Sequence, residues 1–100
     1  MEDKKITEAQ INNWKKKHGD VFKYTTNDDK VCYLKLADRK IMAHAQAVGG
    51  EDNIRFNEIL LEDCWLGGDE AIKIEDKYFL GVSAKLDELI EVAEGKLEKL

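Results

Sequence analysis

The segment DVFKYTTNDDKVCYLKL, residues 20–36, constrains the fold more than any other part of this chain. Its two halves carry the β-branched and aromatic residues that favour strands, and residues 27–30, NDDK, have the composition of a turn. Period-two alternation gives each strand an apolar face, formed by Phe22 and Tyr24 on the first strand and by Cys32, Leu34 and Leu36 on the second. Because a two-stranded ribbon alone is marginal in water, helices must cover one side of this hairpin.

Capping signals predict a helix before the hairpin. Thr7 and Gln10 match a capping box, in which each side chain bonds to the backbone N–H of the other residue. Trp14 lies on the apolar face of this helix, and Gly19 is placed to end it. The run KKKH, residues 15–18, is either a nucleic-acid patch or positive charge that the dipole favours in a last helical turn. We favour the second interpretation.

Two helices are predicted after the hairpin. Asp38 is a candidate N-cap for a helix that runs to about Val48 and ends at two glycines. Asp52 is a candidate N-cap for the next helix, whose apolar stripe continues to Trp65. His44 lies in the first of these helices without another metal-ligating residue at a suitable spacing, so it is not expected to bind a metal.

The stretch CWLGGDE, residues 64–70, raises the question of a functional site. It lacks the GxxxxGK[ST] pattern of a phosphate-binding loop, and its two carboxylates would repel an anion. It also lacks the third and fourth ligands that a metal site requires. We therefore expect Gly67 and Gly68 to close a helix, with Trp65 packed over the turn. Four residues are predicted to be structural: Trp14, Trp65, Gly67 and Gly68.

A long helix is predicted for the last quarter of the chain. Its apolar stripe steps by three or four residues through Phe79, Val82, Leu86, Leu89, Ala93 and Leu97. Carboxylates lie opposite the stripe, at Asp87, Glu88, Glu91, Glu94 and Glu98. These acidic residues are either a solvated face or a surface for a basic partner, and they are the candidate partner-binding residues. The chain is expected to be a single α+β domain over residues 1–100, mainly helical, in which an antiparallel β-hairpin packs with about four helices.

Charge is distributed unevenly over the 100 residues. The net charge is −5, but residues 1–50 hold ten basic and seven acidic side chains, whereas residues 51–100 hold six and fourteen. The acidic half would repel a phosphate backbone, so a protein partner is expected and nucleic acid is not. No apolar run approaches the roughly 20 residues of a membrane helix, and MEDKKITEAQ is not a secretory signal. We expect a cytoplasmic protein.

Residues that could support catalysis are few and scattered. Cys32 and Cys64 match no redox or zinc motif, and reduced, buried thiols are expected. His18 and His44 fall on separate predicted elements, and Ser83 lacks the strand–turn–helix context of a nucleophile. A non-enzymatic protein without a cofactor or a metal is therefore expected.

The order of four segments resembles a known group of proteins. These are NWKKKHGDVFKY, then KVCYLKLADRK, then NEILLEDCWLGGDE, and finally KYFLGVSAKLDELIEV. Over residues 12–95 the chain is similar to small proteins of phages and prophages that we associate with tail-assembly chaperones. The shared motifs are packing motifs, and no catalytic or partner-binding residue is carried over from the family.

The resemblance implies a non-enzymatic role in the cytoplasm of a bacterial host cell. A chaperone of this kind would bind a long, helical tape-measure-type protein and keep it soluble during tail assembly, and it would then leave the finished particle. Two alternatives remain: a small structural or adaptor subunit of a phage particle, and a regulator that binds a host protein. The stoichiometry in finished particles separates the chaperone from the structural subunit.

Overall fold

The computed structural model describes residues 6–90 and 94–100 of the chain. The predicted hairpin is present, with β1 (Val21–Thr25) antiparallel to β2 (Val31–Lys35). Within the described residues, a three-stranded antiparallel sheet packs with five α-helices, which confirms the predicted α+β class.

Three helices begin where the capping signals predict: α1 (Glu8–His18), α2 (Arg39–Gly49) and α3 (Asn53–Cys64). The capping box is confirmed, because Gln10 N donates to Thr7 Oγ1 at 3.2 Å and Thr7 N donates to Gln10 Oε1 at 3.0 Å. The carboxylates of Asp38 and Asp52 each accept a hydrogen bond from the N–H three residues later, at 2.9 and 3.1 Å. Each cap fixes a helix start by satisfying a backbone donor that has no partner within the helix.

The prediction that Gly67 and Gly68 close a helix is wrong. The helix ends before them, and Trp65–Gly68 forms β3, which pairs with β2 in the strand order β1-β2-β3. Gly68 has a φ of +136°, and a Cβ on it would lie 2.5 Å from the Cα of Cys32. Glycine is required here because two backbones approach closely, not because a helix ends.

Helix α1 lies against the outer face of this sheet. The ring of Trp14 is 5.7 Å from the ring of Tyr33, centroid to centroid. Tyr33 is opposite Gly67 across the β2–β3 ladder, and a Cβ on Gly67 would come within 3.1 Å of the Trp14 ring. The KKKH run occupies the last turn of α1.

The core fills the space between the inner face of the sheet and the other helices. Phe22 is opposite Leu34 and Tyr24 is opposite Cys32, so these four side chains share that inner face. The core includes Cys32, Leu34, Ile41, Leu60, Leu61, Cys64, Ile72, Tyr78, Phe79, Val82, Leu86 and Leu89. The helices α2 and α3 pack closely, since a Cβ on Gly49 would lie 2.6 Å from the backbone of Phe56.

The prediction of a long C-terminal helix is also wrong. This part of the chain forms α4 (Ala71–Ile74), α5 (Asp76–Ser83) and a 3₁₀ helix (Leu86–Leu89). Residues 94–100 have no regular secondary structure. Three positions of the predicted helix, Glu91, Val92 and Ala93, lie outside the described residues.

The 3₁₀ helix buries the predicted apolar stripe without continuing the α-helix. Leu86 and Leu89 are three residues apart, and three residues make one 3₁₀ turn, so both face the core at 2% and 3% exposure. Ala37 N donates to Leu89 O at 2.9 Å, which ties this turn to the residues after β2. A longer α-helix would also place Glu94 and Glu98 in a repulsive i,i+4 pair.

Candidate functional site

The acidic residues that were predicted to bind a partner do not share one helix. Asp87 and Glu88 are exposed on the 3₁₀ helix, and Glu94 and Glu98 are exposed in residues 94–100. Glu91 lies outside the described residues. Two of these carboxylates have lysine neighbours, because Glu88 is 3.9 Å from Lys85 Nζ and Glu98 is 3.4 Å from Lys96 Nζ. The four described carboxylates therefore do not form the acidic helix face that the sequence predicted.

A group of exposed apolar side chains forms a different candidate site. Ile54 in α3, Ile74 in α4 and Leu80 in α5 are 52%, 72% and 55% exposed. All three border one cleft of about 280 Å³, which Phe79 also lines. We call it the α3–α5 cleft. Exposed apolar groups gathered at one place are typical of protein-binding surfaces.

The helical geometry explains why these three residues escape the core. Successive helical residues are about 100° apart, so Ile74 turns away when Ile72 is buried. The same rotation turns Leu80 away from the buried Phe79. Ile54 falls in the first turn of α3, one turn and more before the buried Leu60. Ile74 and Leu80 are therefore exposed because nearby residues face the core, and Ile54 is exposed because it precedes the buried part of α3.

The rim of the α3–α5 cleft is charged and has an acidic excess. Glu58 pairs with Arg55 at 3.2 Å. Lys73 Nζ lies 3.1 Å from the carboxylate of Glu70 and 3.6 Å from that of Glu62. It also lies 4.5 Å from the centre of the Trp65 ring. Asp76 takes part in none of the ion pairs found among the described residues. Of the two rim carboxylates, Glu58 and Asp76, only Asp76 has no basic neighbour within 4.0 Å among the described residues.

The contact between Trp65 and Lys73 holds α4 in place beside the cleft. Trp65 is half-buried against the core at the start of β3, and the Lys73 ammonium covers its ring. A cation over an indole ring is attracted by the negative face of the π-system. This contact joins the sheet to α4 and so holds the segment that presents Ile74.

A second groove runs beside β1, one of the two edge strands of the sheet. Its volume is about 300 Å³, and its polar rim includes Lys23, Lys85 and Glu88. A separate pocket, which shares Tyr24 and Thr25 with this groove, lies at the hairpin turn, where Tyr78 Oη donates to the Asp28 carboxylate. Thr26 Oγ1 donates to the same carboxylate at 2.6 Å.

The bonds from Thr26 and Tyr78 hold the pKa of Asp28 below its ordinary value, because both stabilise the carboxylate. The bond to Asp28 is also the main reason that the pKa of Tyr78 is raised to about 12. Both groups therefore keep their usual charge states at neutral pH. Their arrangement holds the turn against α5, and it does not create a general acid or base near pH 7.

The histidine, cysteine and serine residues that the sequence raised as catalytic candidates are not arranged for catalysis in the described part of the chain. His44 Nδ1 lies 2.6 Å from Asp63 Oδ2 on α3, a partner that the sequence spacing did not reveal. Burial raises the pKa of Cys32 to about 12 and that of Cys64 to about 11, so both are protonated thiols at neutral pH. Ser83 Oγ is buried and makes no hydrogen bond with the described part of the chain.

Two kinds of feature are absent from residues 6–90 and 94–100. No group of three or more histidine, cysteine or acidic side chains is placed to hold a metal ion there. No helix in this part of the chain is long and apolar enough to cross a membrane.

The α3–α5 cleft was not predicted from the sequence, because its apolar residues fit the pattern of core stripes. One feature of the sequence did indicate that some of these residues face outward. Ile72 and Ile74 are two residues apart in a short helical segment, so they cannot both face the same side. The sequence does not show that Ile74 and Leu80 meet at one cleft.

Comparison of this chain with protein-family models, with curated proteins and with solved structures finds no match.

Proposed function

We propose that this protein is a non-enzymatic, chaperone-like protein that binds an amphipathic helix of a tape-measure-type client during phage tail assembly. The observation that carries the proposal is the convergence of Ile54, Ile74 and Leu80 on one cleft. The tail-assembly context comes from the resemblance over residues 12–95. The binding mode comes from the cleft.

The cleft suits the apolar face of a helix. Helix-in-groove recognition uses a few apolar anchors spaced at i, i+3 or i+4, and i+7, which extend over roughly 10 Å of helix. Ile54, Ile74 and Leu80 come from three different helices and can surround such anchors. Their burial by a client would contribute the affinity, at about 25 cal/mol for each Å² of apolar surface removed from water.

The charges at the rim favour a client with basic residues beside its apolar face. Asp76 has no basic partner among the described residues, and the second half of the chain has an excess of eight negative charges. Opposite charges at a rim mainly accelerate association and select among partners. We therefore expect binding to weaken as the salt concentration rises.

The test is affinity capture with a matched pair of variants. The tagged wild type, Ile74→Asp and Val48→Asp are produced in cells that make the source phage or induced prophage. Val48 is an exposed apolar residue on α2, outside the cleft, so its substitution controls for charge and for lost apolar surface. Captured chains are identified by mass spectrometry, and finished particles are analysed for the tagged protein.

The proposal expects one long helical protein to be captured by the wild type and by Val48→Asp. Ile74→Asp should lose it, and the tagged protein should be absent from finished particles. Equal capture by all three chains would contradict the cleft as the binding site. A fixed copy number in particles would instead favour the structural-subunit alternative, and capture of a host protein alone would favour the regulator.

A further inference from the structure

Residues 94–100, EGKLEKL, expose two large apolar side chains that no described part of this chain covers. Leu97 is 99% exposed and Leu100 is 113% exposed. Every residue of the segment is exposed, and none of them borders the α3–α5 cleft. Among the described residues, large apolar side chains are exposed at the α3–α5 cleft, at Val48 on α2 and in residues 94–100.

The α3–α5 cleft and residues 94–100 have complementary shapes and charges. Leu97 and Leu100 are three residues apart, so they lie on the same side once the segment takes up helical geometry. Lys96 is next to Leu97, and at 100° per residue it flanks the apolar side, whereas Glu98 points roughly away from it. The cleft offers apolar walls and the carboxylate of Asp76, which no basic side chain among the described residues engages.

We infer that residues 94–100 of a second copy of this chain dock in the α3–α5 cleft, so that two copies exchange these segments reciprocally. Leu97 and Leu100 enter beside Ile74 and Leu80, and Lys96 lies against Asp76. The exchange is isologous: each copy gives one segment and receives one, which closes the assembly at a dimer. This inference requires the cleft but does not require the tail-assembly client.

Sedimentation velocity over a range of protein concentrations tests the exchange. The untagged wild type should show a monomer–dimer equilibrium. Leu97→Asp with Leu100→Asp should raise the dimer dissociation constant by at least about tenfold, because two leucines lose their burial. These side chains are exposed in the single chain, so at concentrations where the wild type is monomeric the double variant should keep the wild-type circular dichroism and melting temperature.

A mixing experiment distinguishes exchange between copies from docking within one chain. The Leu97→Asp, Leu100→Asp variant retains an intact cleft, and Ile74→Asp retains an intact segment. Each should be monomeric alone, but an equimolar mixture should form a heterodimer through the one remaining cleft–segment contact. Val48→Asp should dimerise like the wild type.

Charge reversal gives an independent check. Asp76→Lys and Lys96→Glu should each weaken the dimer, and a chain with both substitutions should recover affinity. A wild type that stays monomeric up to about 1 mM would overturn the inference, since that corresponds to a contact weaker than about 4 kcal/mol. A wild-type dimer that neither the segment variant nor Ile74→Asp weakens would overturn it as well. Because the segment and a client would occupy the same cleft, client capture is also measured with the Leu97→Asp, Leu100→Asp variant, whose cleft is empty. Failure of this variant to capture a client would count against the proposed function alone.

Discussion

Replacing Gly68 by alanine should disrupt the junction of β2 and β3. A Cβ on Gly68 would lie 2.5 Å from both the Cα of Cys32 and the carbonyl oxygen of Val31. Both obstacles belong to the backbone, so no side-chain rotation relieves them. The strand must move away, which also threatens the hydrogen bond that Asp69 N donates to Val31 O at 2.9 Å.

The size of the effect follows from two contributions. Holding an alanine at the φ of +136° found at this position costs about 1–3 kcal/mol of backbone strain. Forcing an additional methyl group into a packed site costs about another 1–3 kcal/mol. The free energy of unfolding should therefore fall by about 2–6 kcal/mol. A domain of this size loses about 4–8 °C of melting temperature for each kcal/mol of lost stability, so the melting temperature should fall by more than about 8 °C.

Gly19→Ala is the matched control. Gly19 also has a positive φ, of +87°, but a Cβ there meets nothing within 4 Å, so only the backbone strain applies. Urea denaturation followed by tryptophan fluorescence measures both variants. If Gly68→Ala costs no more than Gly19→Ala, the close approach of the two strands does not limit stability and is not what requires glycine at position 68.

Three further predictions concern the core, the thiols and the hairpin turn. Trp65→Ala should lower the free energy of unfolding by about 3 kcal/mol in urea denaturation, near the low end for Trp→Ala because the ring is half-buried; an unchanged midpoint would mean that the ring adds nothing to the core. The folded pKa values of Cys32 and Cys64, about 12 and about 11, lie above the ordinary 9.0, so their contribution to stability is complete below pH 9 and is lost as the pH rises towards 12. Replacing both cysteines by alanine should reduce the loss of unfolding free energy above pH 9. The comparison is made in a Tyr78→Phe background because Tyr78 titrates in the same range. An unchanged slope of the unfolding free energy against pH would contradict this prediction. Because the pKa of Asp28 is below its ordinary 3.8, its contribution is present above that pH and is lost as the pH falls through the folded value. Tyr78→Phe should therefore weaken the acid dependence of the melting temperature and speed amide exchange at Asp29; identical acid profiles would show that the Tyr78 bond does not couple to folding.

Local signals in the sequence predicted the local features of the fold. The capping residues Thr7, Asp38 and Asp52 each bond to a backbone donor three residues away, so spacing alone identifies them. The hairpin likewise depends on alternation and on a turn within one short segment. Such features involve interactions between near neighbours in the chain.

The errors arose where a distant part of the chain determined the structure. Gly67 and Gly68 follow an apolar helical run, which is also how a helix ends, but here they pair with the backbones of Tyr33 and Cys32 on β2. The apolar residues of the last quarter of the chain have a helical period, but residues 86–89 form a 3₁₀ turn instead. The hydrogen bond from Ala37 N to Leu89 O, from a distant part of the chain, holds that turn in place. The α3–α5 cleft was missed for the same reason, since three helices must be placed before their outward residues meet.

The position of β3 in the chain has a consequence for the order of folding. Residues 36–64, which include α2 and α3, separate β2 from β3, whereas the hairpin and the α2–α3 pair involve short-range contacts. Contacts that close long loops carry a larger entropy cost and tend to form late. We therefore expect the hairpin and the α2–α3 pair to be formed in the folding transition state, and β3 to dock after it. The α3–α5 cleft is complete only when α4 and α5 have packed against α3, so we expect it to assemble after the α2–α3 pair and to be lost before that pair when the protein is destabilised.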